Sequence, residues 1–522
     1  MDIKNVDPNN LLEVPQLRKQ RKLPIVQLLE VSGNAHTYQK NILTAFIFIQ
    51  FFYGFIYSMI PYLYFTPNFY CKTDDGSLYR CNELEACGNT YGFVTESERD
   101  SLVTTFKLYC ENKYLDTYGK NFIFGFAAIG CFLITAYSDY KGRKIIYLFS
   151  CLSLVIGGIL GFSNNYYVIV FGMALCFLAM ELFLTFTYVY TNEIVGTSLR
   201  SRSAPIIQLS IGFGIIASNI GSLLTRGYYV CFLPCCIFNG FLIVLSYYLV
   251  ESPYFLDKKE NKQPLFECLS TINSVNYRNN EQIREENLAI LRKIILRDSC
   301  PIADNFDNVQ DEIVDSIKNI VFKDEFKLNG TQVLFMVTKI CIICSNVAIV
   351  FGLVMIAIQH VGTQNIQFNS FAFTLTIPVA VLYAMKNAPK IKRRRAIILQ
   401  NISIIILSFL LIALRRFGFY TYFLGQCFDV ILCVGIMAGS AVVNSLLSTY
   451  VSELFPTDVR GLALGADVFV SRLSYIASSY LALLSENFNL NPMSFCFIPA
   501  ILSLVAVYGL KETLNNKGCT LK

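Results

Sequence analysis

Apolar runs of about 20 residues, the length that crosses a hydrocarbon core, recur along the chain with polar breaks between them. They fall near 42–64, 121–138, 145–163, 166–190, 203–225, 228–250, 333–358, 369–386, 396–414, 420–447, 461–484 and 493–510. The pattern predicts an all-α membrane protein with twelve transmembrane helices. Two longer polar stretches interrupt it, at about 65–120 and 251–332. The expected organisation is an N-terminal segment 1–41, a six-helix half over 42–250 carrying the insertion 65–120, a polar loop 251–332 with amphipathic helices, a second six-helix half over 333–510, and a tail 511–522.

One short phrase is written twice. Tyr190, Glu193, Thr197 and Arg200 recur 260 residues later as Tyr450, Glu453, Thr457 and Arg460, each copy between two apolar runs. A duplicated unit of this kind predicts two pseudo-symmetric halves, the plan of many secondary transporters.

Composition agrees with lipid as the solvent: 54% of residues are hydrophobic and 15% charged, against about 25% charged in soluble domains. Lys141, Arg143 and Lys144 follow the second run, Arg200 and Arg202 the fourth, and Lys386, Lys390 and Lys392 to Arg395 the eighth. These loops share one side of an alternating chain, which the positive-inside rule makes cytoplasmic. Both termini and loop 251–332 are then cytosolic, and 65–120 is external. The net charge of +6 is spent on this loop bias, with no water-facing basic stripe for nucleic acid; the cluster 390–395 offers at most a contact with anionic lipid heads.

Cys71, Cys81, Cys87 and Cys110 lie in the external insertion. Four cysteines there predict two disulfides, with three pairings possible, and a plasma or secretory membrane. The other 14 of the 18 cysteines read as small apolar residues, and no His-supported cluster marks a metal site. The stretch Asn280–Arg297 alternates charge with Ile and Leu at helical spacing, as an amphipathic helix on the cytosolic side does.

Several stretches then point to a family. Ser138-Asp139-Tyr140-Lys141-Gly142-Arg143-Lys144 resembles the Asp-x-x-Gly-Arg-Lys/Arg loop of the major facilitator superfamily. Glu251-Ser252-Pro253-Tyr254-Phe255-Leu256 and Glu453-Leu454-Phe455-Pro456-Thr457-Asp458-Val459-Arg460 resemble phrases of its organic cation/anion/zwitterion transporters, as does the stretch Ser101–Cys110. Tyr254 stands where that branch carries Arg, so the chain is identified as a divergent member. The resemblance implies alternating access without cofactor or covalent chemistry. Asp139, Gly142, Arg143, Glu193, Arg200, Glu251, Glu453 and Arg460 are expected to form a cytosolic gate of inter-helix salt bridges and carboxylates at helix N-termini.

Substrate class must come from ionisable groups inside the spans, where each costs several kcal/mol unless it faces a cavity or a partner. The candidates are Glu181, Lys339, Asp429, Asp467 and Arg472. Arg472 lies twelve residues beyond Arg460, about 18 Å of helix, near the bilayer midplane. At that position the resembled anion transporters carry Arg and the cation transporters Asp, so the resemblance favours a small organic anion, with cation or zwitterion as the alternative. Phe351, of an aromatic-Gly pair, and Tyr190 complete the expected substrate site. No nucleophile-base set or filter-like repeat points to an enzyme or a channel; a transporter-like receptor or scaffold remains the rival, and oligomeric state is silent.

Overall fold

The computed structural model describes residues 25–510 apart from 34–35, 82, 98–99, 196, 225–226, 228–231, 260, 297–329, 361–365, 388–391, 419–422, 455–456 and 489. A helix occupies each expected apolar run. In chain order they are α1 (Thr37–Tyr57), α2 (Lys113–Lys141), α3 (Lys144–Leu160), α4 (Tyr166–Ile194), α5 (Thr197–Leu224), α6 (Leu233–Tyr248), α7 (Gly330–His360), α8 (Ile366–Asn387), α9 (Arg393–Arg416), α10 (Phe423–Leu454), α11 (Thr457–Asn487) and α12 (Phe497–Tyr508).

Among the described residues seven helices are long and apolar enough to cross a membrane, those of α1, α2, α4, α5, α7, α9 and α10. Helices α3, α6 and α12 are apolar but shorter. α8 and α11 fall outside both groups. The interior of α11 carries Asp467, Arg472, Ser471, Ser474 and Ser478, polar positions that lower its mean hydropathy while serving the centre of the molecule. α2 starts eight residues before its expected apolar run, because its first two turns are solvated: Lys120 pairs with Asp116 one turn earlier at 2.9 Å.

The helices touch in a repeating pattern. α1 packs on α5, α3 on α4, α2 on α4 and α3 on α6; adding six to each number gives α7 on α11, α9 on α10, α8 on α10 and α9 on α12, all of which pack as well. The pairs α2–α11 and α5–α8 join the two sets and map onto each other under the same rule. At the α1–α5 crossing the two backbones nearly touch. A Cβ on Gly54 would collide with the Ile211 carbonyl, and one on Gly214 with that of Phe51, so the absent side chains permit the contact.

The insertion after α1 departs from the all-α expectation. Asn68–Lys72 (β1), Leu78–Cys81 (β2) and Phe93–Glu96 (β3) form an antiparallel sheet of order β2-β1-β3, with Phe69 opposite Cys81 and Thr95. Alternation supplies the reason: Phe69 and Cys71 point into a small core with Cys81 and Ala86, while the residues between them face outward. The cysteines pair Cys71–Cys81 and Cys87–Cys110.

At the opposite end, helices Pro253–Lys258, Lys262–Asn276 and Glu281–Leu296 pack together and against α1 and α4. The buried Asn276 side chain accepts from the Tyr38 backbone N–H at 2.7 Å and donates to the Ser32 carbonyl at 2.9 Å. It thereby satisfies one of the unpaired N–H groups at the start of α1.

Candidate functional site

A cavity of about 170 Å³ lies where α1, α4, α5, α7, α8, α10 and α11 converge. Its wall is mostly apolar and aromatic, including Tyr53, Tyr57, Tyr188, Phe351, Phe373 and Tyr475, with Gln208, Asn444, Asp467, Ser471 and Arg472 as polar groups. A concave apolar site with a few convergent polar groups suits a small organic molecule.

Arg472 and Asp467 differ in their surroundings. The Arg472 guanidinium is buried and meets the Glu181 carboxylate of α4 at 2.7 Å. It also donates to the Tyr53 hydroxyl of α1 at 2.9 Å and lies 5.5 Å and 5.2 Å from the ring centres of Tyr57 and Tyr475. Tyr53 in turn donates to Glu181 at 3.2 Å. A buried charge needs such a partner and such hydrogen bonds, and here they come from α4 and α1, across from the α11 that carries Arg472. Asp467 is half-buried, lines the cavity, and accepts from Ser471 at 3.5 Å. It forms no ion pair among the described residues.

The other expected substrate-site residues divide. Phe351 lines the cavity. Tyr190 does not: it is buried between Phe46 and Phe186 and donates to the Val250 carbonyl at 2.6 Å. Lys339 is also remote, its amine 4.3 Å over the Phe335 ring and against Gly509 just beyond α12. Asp429 pairs with Arg415 at 3.2 Å and accepts from Asn491, far along α10 from the lining positions. Tyr53, Tyr57 and Tyr475 were not anticipated; their only sequence signal is tyrosine inside an apolar run, and of the three only Tyr475 is near Arg472 in the sequence.

A second polar cluster lies where α2, α3 and α4 end beside residue 251. The Glu251 carboxylate accepts from the backbone N–H of Arg143 at 2.8 Å and of Lys144 at 3.3 Å, at the start of α3, where the helix dipole favours an anion. Arg143 meets Glu193 at 3.5 Å, and the Ser252 hydroxyl donates to Glu193. Gly142 makes the turn at φ 115°, and a Cβ there would strike the Glu251 carboxylate. The side chains of Asp139, Arg200, Glu453 and Arg460 lie outside the described residues.

Helices arranged with internal two-fold correspondence around a central, partly polar cavity define a multi-pass membrane transporter. The chain belongs to the Major Facilitator Superfamily, whose sequence profile matches residues 121–479. It is similar to solute carrier family 22 member 16 of Xenopus laevis, at 21% identity over 83% of this chain and 72% of the relative. It is similar also to the organic cation transporter protein of Drosophila melanogaster, at 24% identity over 89% of this chain and 83% of the relative. Among solved structures, the proton:xylose symporter XylE bound to 6-bromo-6-deoxy-D-glucose superposes with a TM-score of 0.58 at 16% identity, covering 91% of this chain and 97% of the other. A partially occluded inward-open form of XylE from E. coli gives the same score at 14% identity, over 91% and 98%. These structures share the fold. The homologues are transporters rather than enzymes, and this chain is a divergent member of their kind.

Proposed function

We propose that this protein carries small organic cations across the membrane, at the plasma membrane, by alternating access of two six-helix halves with twelve spans in all. The carrying observation is the charge balance of the cavity. Arg472 is neutralised by Glu181 at 2.7 Å, which leaves Asp467 as the group offered to a ligand. The anion expectation came from the family's use of Arg at position 472, and a paired guanidinium draws an anion weakly. The aromatic wall of Tyr57, Phe351 and Tyr475 adds cation–π attraction, and one relative's name records organic cation transport. Arg143, Glu193 and Glu251 serve in this reading to brace the cytosolic ends of α2, α3 and α4 as a unit while the halves rock.

Uptake of labelled tetraethylammonium and benzoate into proteoliposomes tests the proposal. A cation opposite a carboxylate at about 4 Å gains up to about 4 kcal/mol at an effective dielectric constant of about 20. Asp467→Asn is therefore expected to weaken saturable cation uptake by roughly 10- to 100-fold in apparent affinity. Benzoate uptake that survives Asp467→Asn and is lost in Arg472→Ala would instead establish the anion reading, and absence of flux in folded protein would favour a receptor or scaffold.

A further inference from the structure

On α4, α10 and α11 the cavity lining is drawn from Leu184 to Tyr188, Met437 to Leu447 and Leu464 to Tyr475, toward the ends of these helices opposite the disulfide-bonded sheet, while on α1 and α7 Tyr53, Tyr57 and Cys344 to Val354 carry it toward the sheet. On the side of the sheet, above Thr374, four buried polar side chains close the space between α1, α5 and α8. The Tyr62 hydroxyl, just past α1, lies 2.9 Å from the Asn219 carbonyl oxygen and 2.9 Å from the Ser370 hydroxyl. Ser370 donates to the same Asn219 oxygen at 2.9 Å, and the Asn219 amide donates to Thr374 at 2.6 Å and to the Ser370 carbonyl at 3.4 Å. Tyr62 and Asn219 belong to the first set of six helices, and Ser370 and Thr374 to the second.

We infer that Tyr62, Asn219, Ser370 and Thr374 are the external gate of the transport path. The inference rests on the alternating-access reading. Three properties support it. The cluster bridges helices that must part if the outside is to reach the cavity, and α5–α8 is one of the two principal seams between the sets. All four residues are buried, so their bonds carry a full desolvation penalty when one partner is removed. Neutral groups can also be rehydrated on opening at less cost than a buried ion pair, which suits a contact made and broken every cycle. Asn219 is the hub, because its amide uses both acceptor and donor across the seam.

The test reads exposure rather than flux. Asn444, half-buried in the cavity wall, is replaced by cysteine. Its modification by the membrane-impermeant reagent MTSET, applied from outside or from inside to sealed vesicles, is followed by mass spectrometry of that site. Adding Asn219→Ala, or the milder Tyr62→Phe, is expected to speed labelling from outside roughly tenfold, the shift produced by losing one or two buried hydrogen bonds, and to slow it from inside. Unchanged labelling from outside in both variants, with folding verified by monodisperse elution, overturns the gate. Faster labelling from both sides would mean general loosening, and overturns it too. Labelling needs no substrate, so a gate that responds in a protein without flux would separate failure of the transport reading from failure of this one.

Discussion

The Glu181–Arg472 pair joins α4 to α11 across 291 residues of chain at 2.7 Å, with both side chains buried. Removing one member leaves the other charged and without its counterion, at a cost of about 3–5 kcal/mol; removing both at once costs much less. Arg472→Met alone is therefore expected to lower thermal stability more than Glu181→Leu/Arg472→Met together, a comparison that a double-mutant cycle of melting temperatures in detergent decides. A double-variant loss equal to the sum of the Glu181→Leu and Arg472→Met single losses would mean that the pair carries little coupling. Arg472 was legible in the sequence as a charge deep in an apolar run. Glu181 was legible in the same way, but not which cation it pairs with, because residue counting gives depth along a helix and not the direction in which a side chain faces. The same limit explains Lys339 and Tyr190. Lys339 was assigned to a span by its place in an apolar run, yet it sits within the first three turns of α7, from which a long lysine side chain reaches the end of α12. Tyr190 faces α1 rather than the cavity.

At the scale of the element, the α2–α3 turn shows how one glycine fixes a helix junction. Gly142 adopts φ 115°, a region that side chains avoid, and its missing Cβ makes room for the Glu251 carboxylate that caps α3. Gly142→Ala is expected to cost about 1–3 kcal/mol and to lengthen the Glu251 contact; Glu251→Gln, which retains an acceptor, should cost less. Denaturation of the purified variants measures the order, and the reverse order would place the cost elsewhere. The family phrase made this loop recognisable, whereas the capping by a residue 108 positions away was visible only once α6 had returned the chain. The three-stranded sheet was missed for a related reason: its strands are four or five residues long, and loop polarity hides the alternation. The four cysteines did announce bonding, and the structure chose Cys71–Cys81 and Cys87–Cys110 from three possibilities. Closing loops of 10 and 23 residues is worth about 3 kcal/mol each in the chain-entropy estimate. Reduction with dithiothreitol is thus expected to open the sheet to proteolysis between Asn68 and Glu96 while the helical circular dichroism persists, and loss of helical signal would tie the spans to the disulfides.

For the whole molecule, the contact rule of adding six holds for helices, while charge follows it in the repeated phrase of Glu193 and Glu453 but not at every turn. The Arg143, Glu193 and Glu251 cluster braces α2, α3 and α4; α8 ends in Lys386 and Asn387 where α2 ends in Asp139 and Lys141, with Lys392 and Arg393 following. The apolar runs disclosed the helices and their number of candidates, because lipid makes hydrophobicity the overriding constraint. Which helices meet at the centre depends on rotation and tilt, set by small residues such as Gly54 and Gly214 that no hydropathy count reveals.

Asn276 ties helix Lys262–Asn276 to the first turn of α1, and that helix carries Glu281–Leu296 with it. The three helices at this end therefore belong mechanically to the first half of the bundle. If that half tilts by a few degrees in each cycle, these helices, standing off the end of the bundle, travel as the far end of a lever and magnify the tilt into a displacement along the membrane surface. The protein carries on its own chain a pointer whose position, read by a pair of fluorophores on Glu281–Leu296 and the start of α9, would register each turn of the transporter.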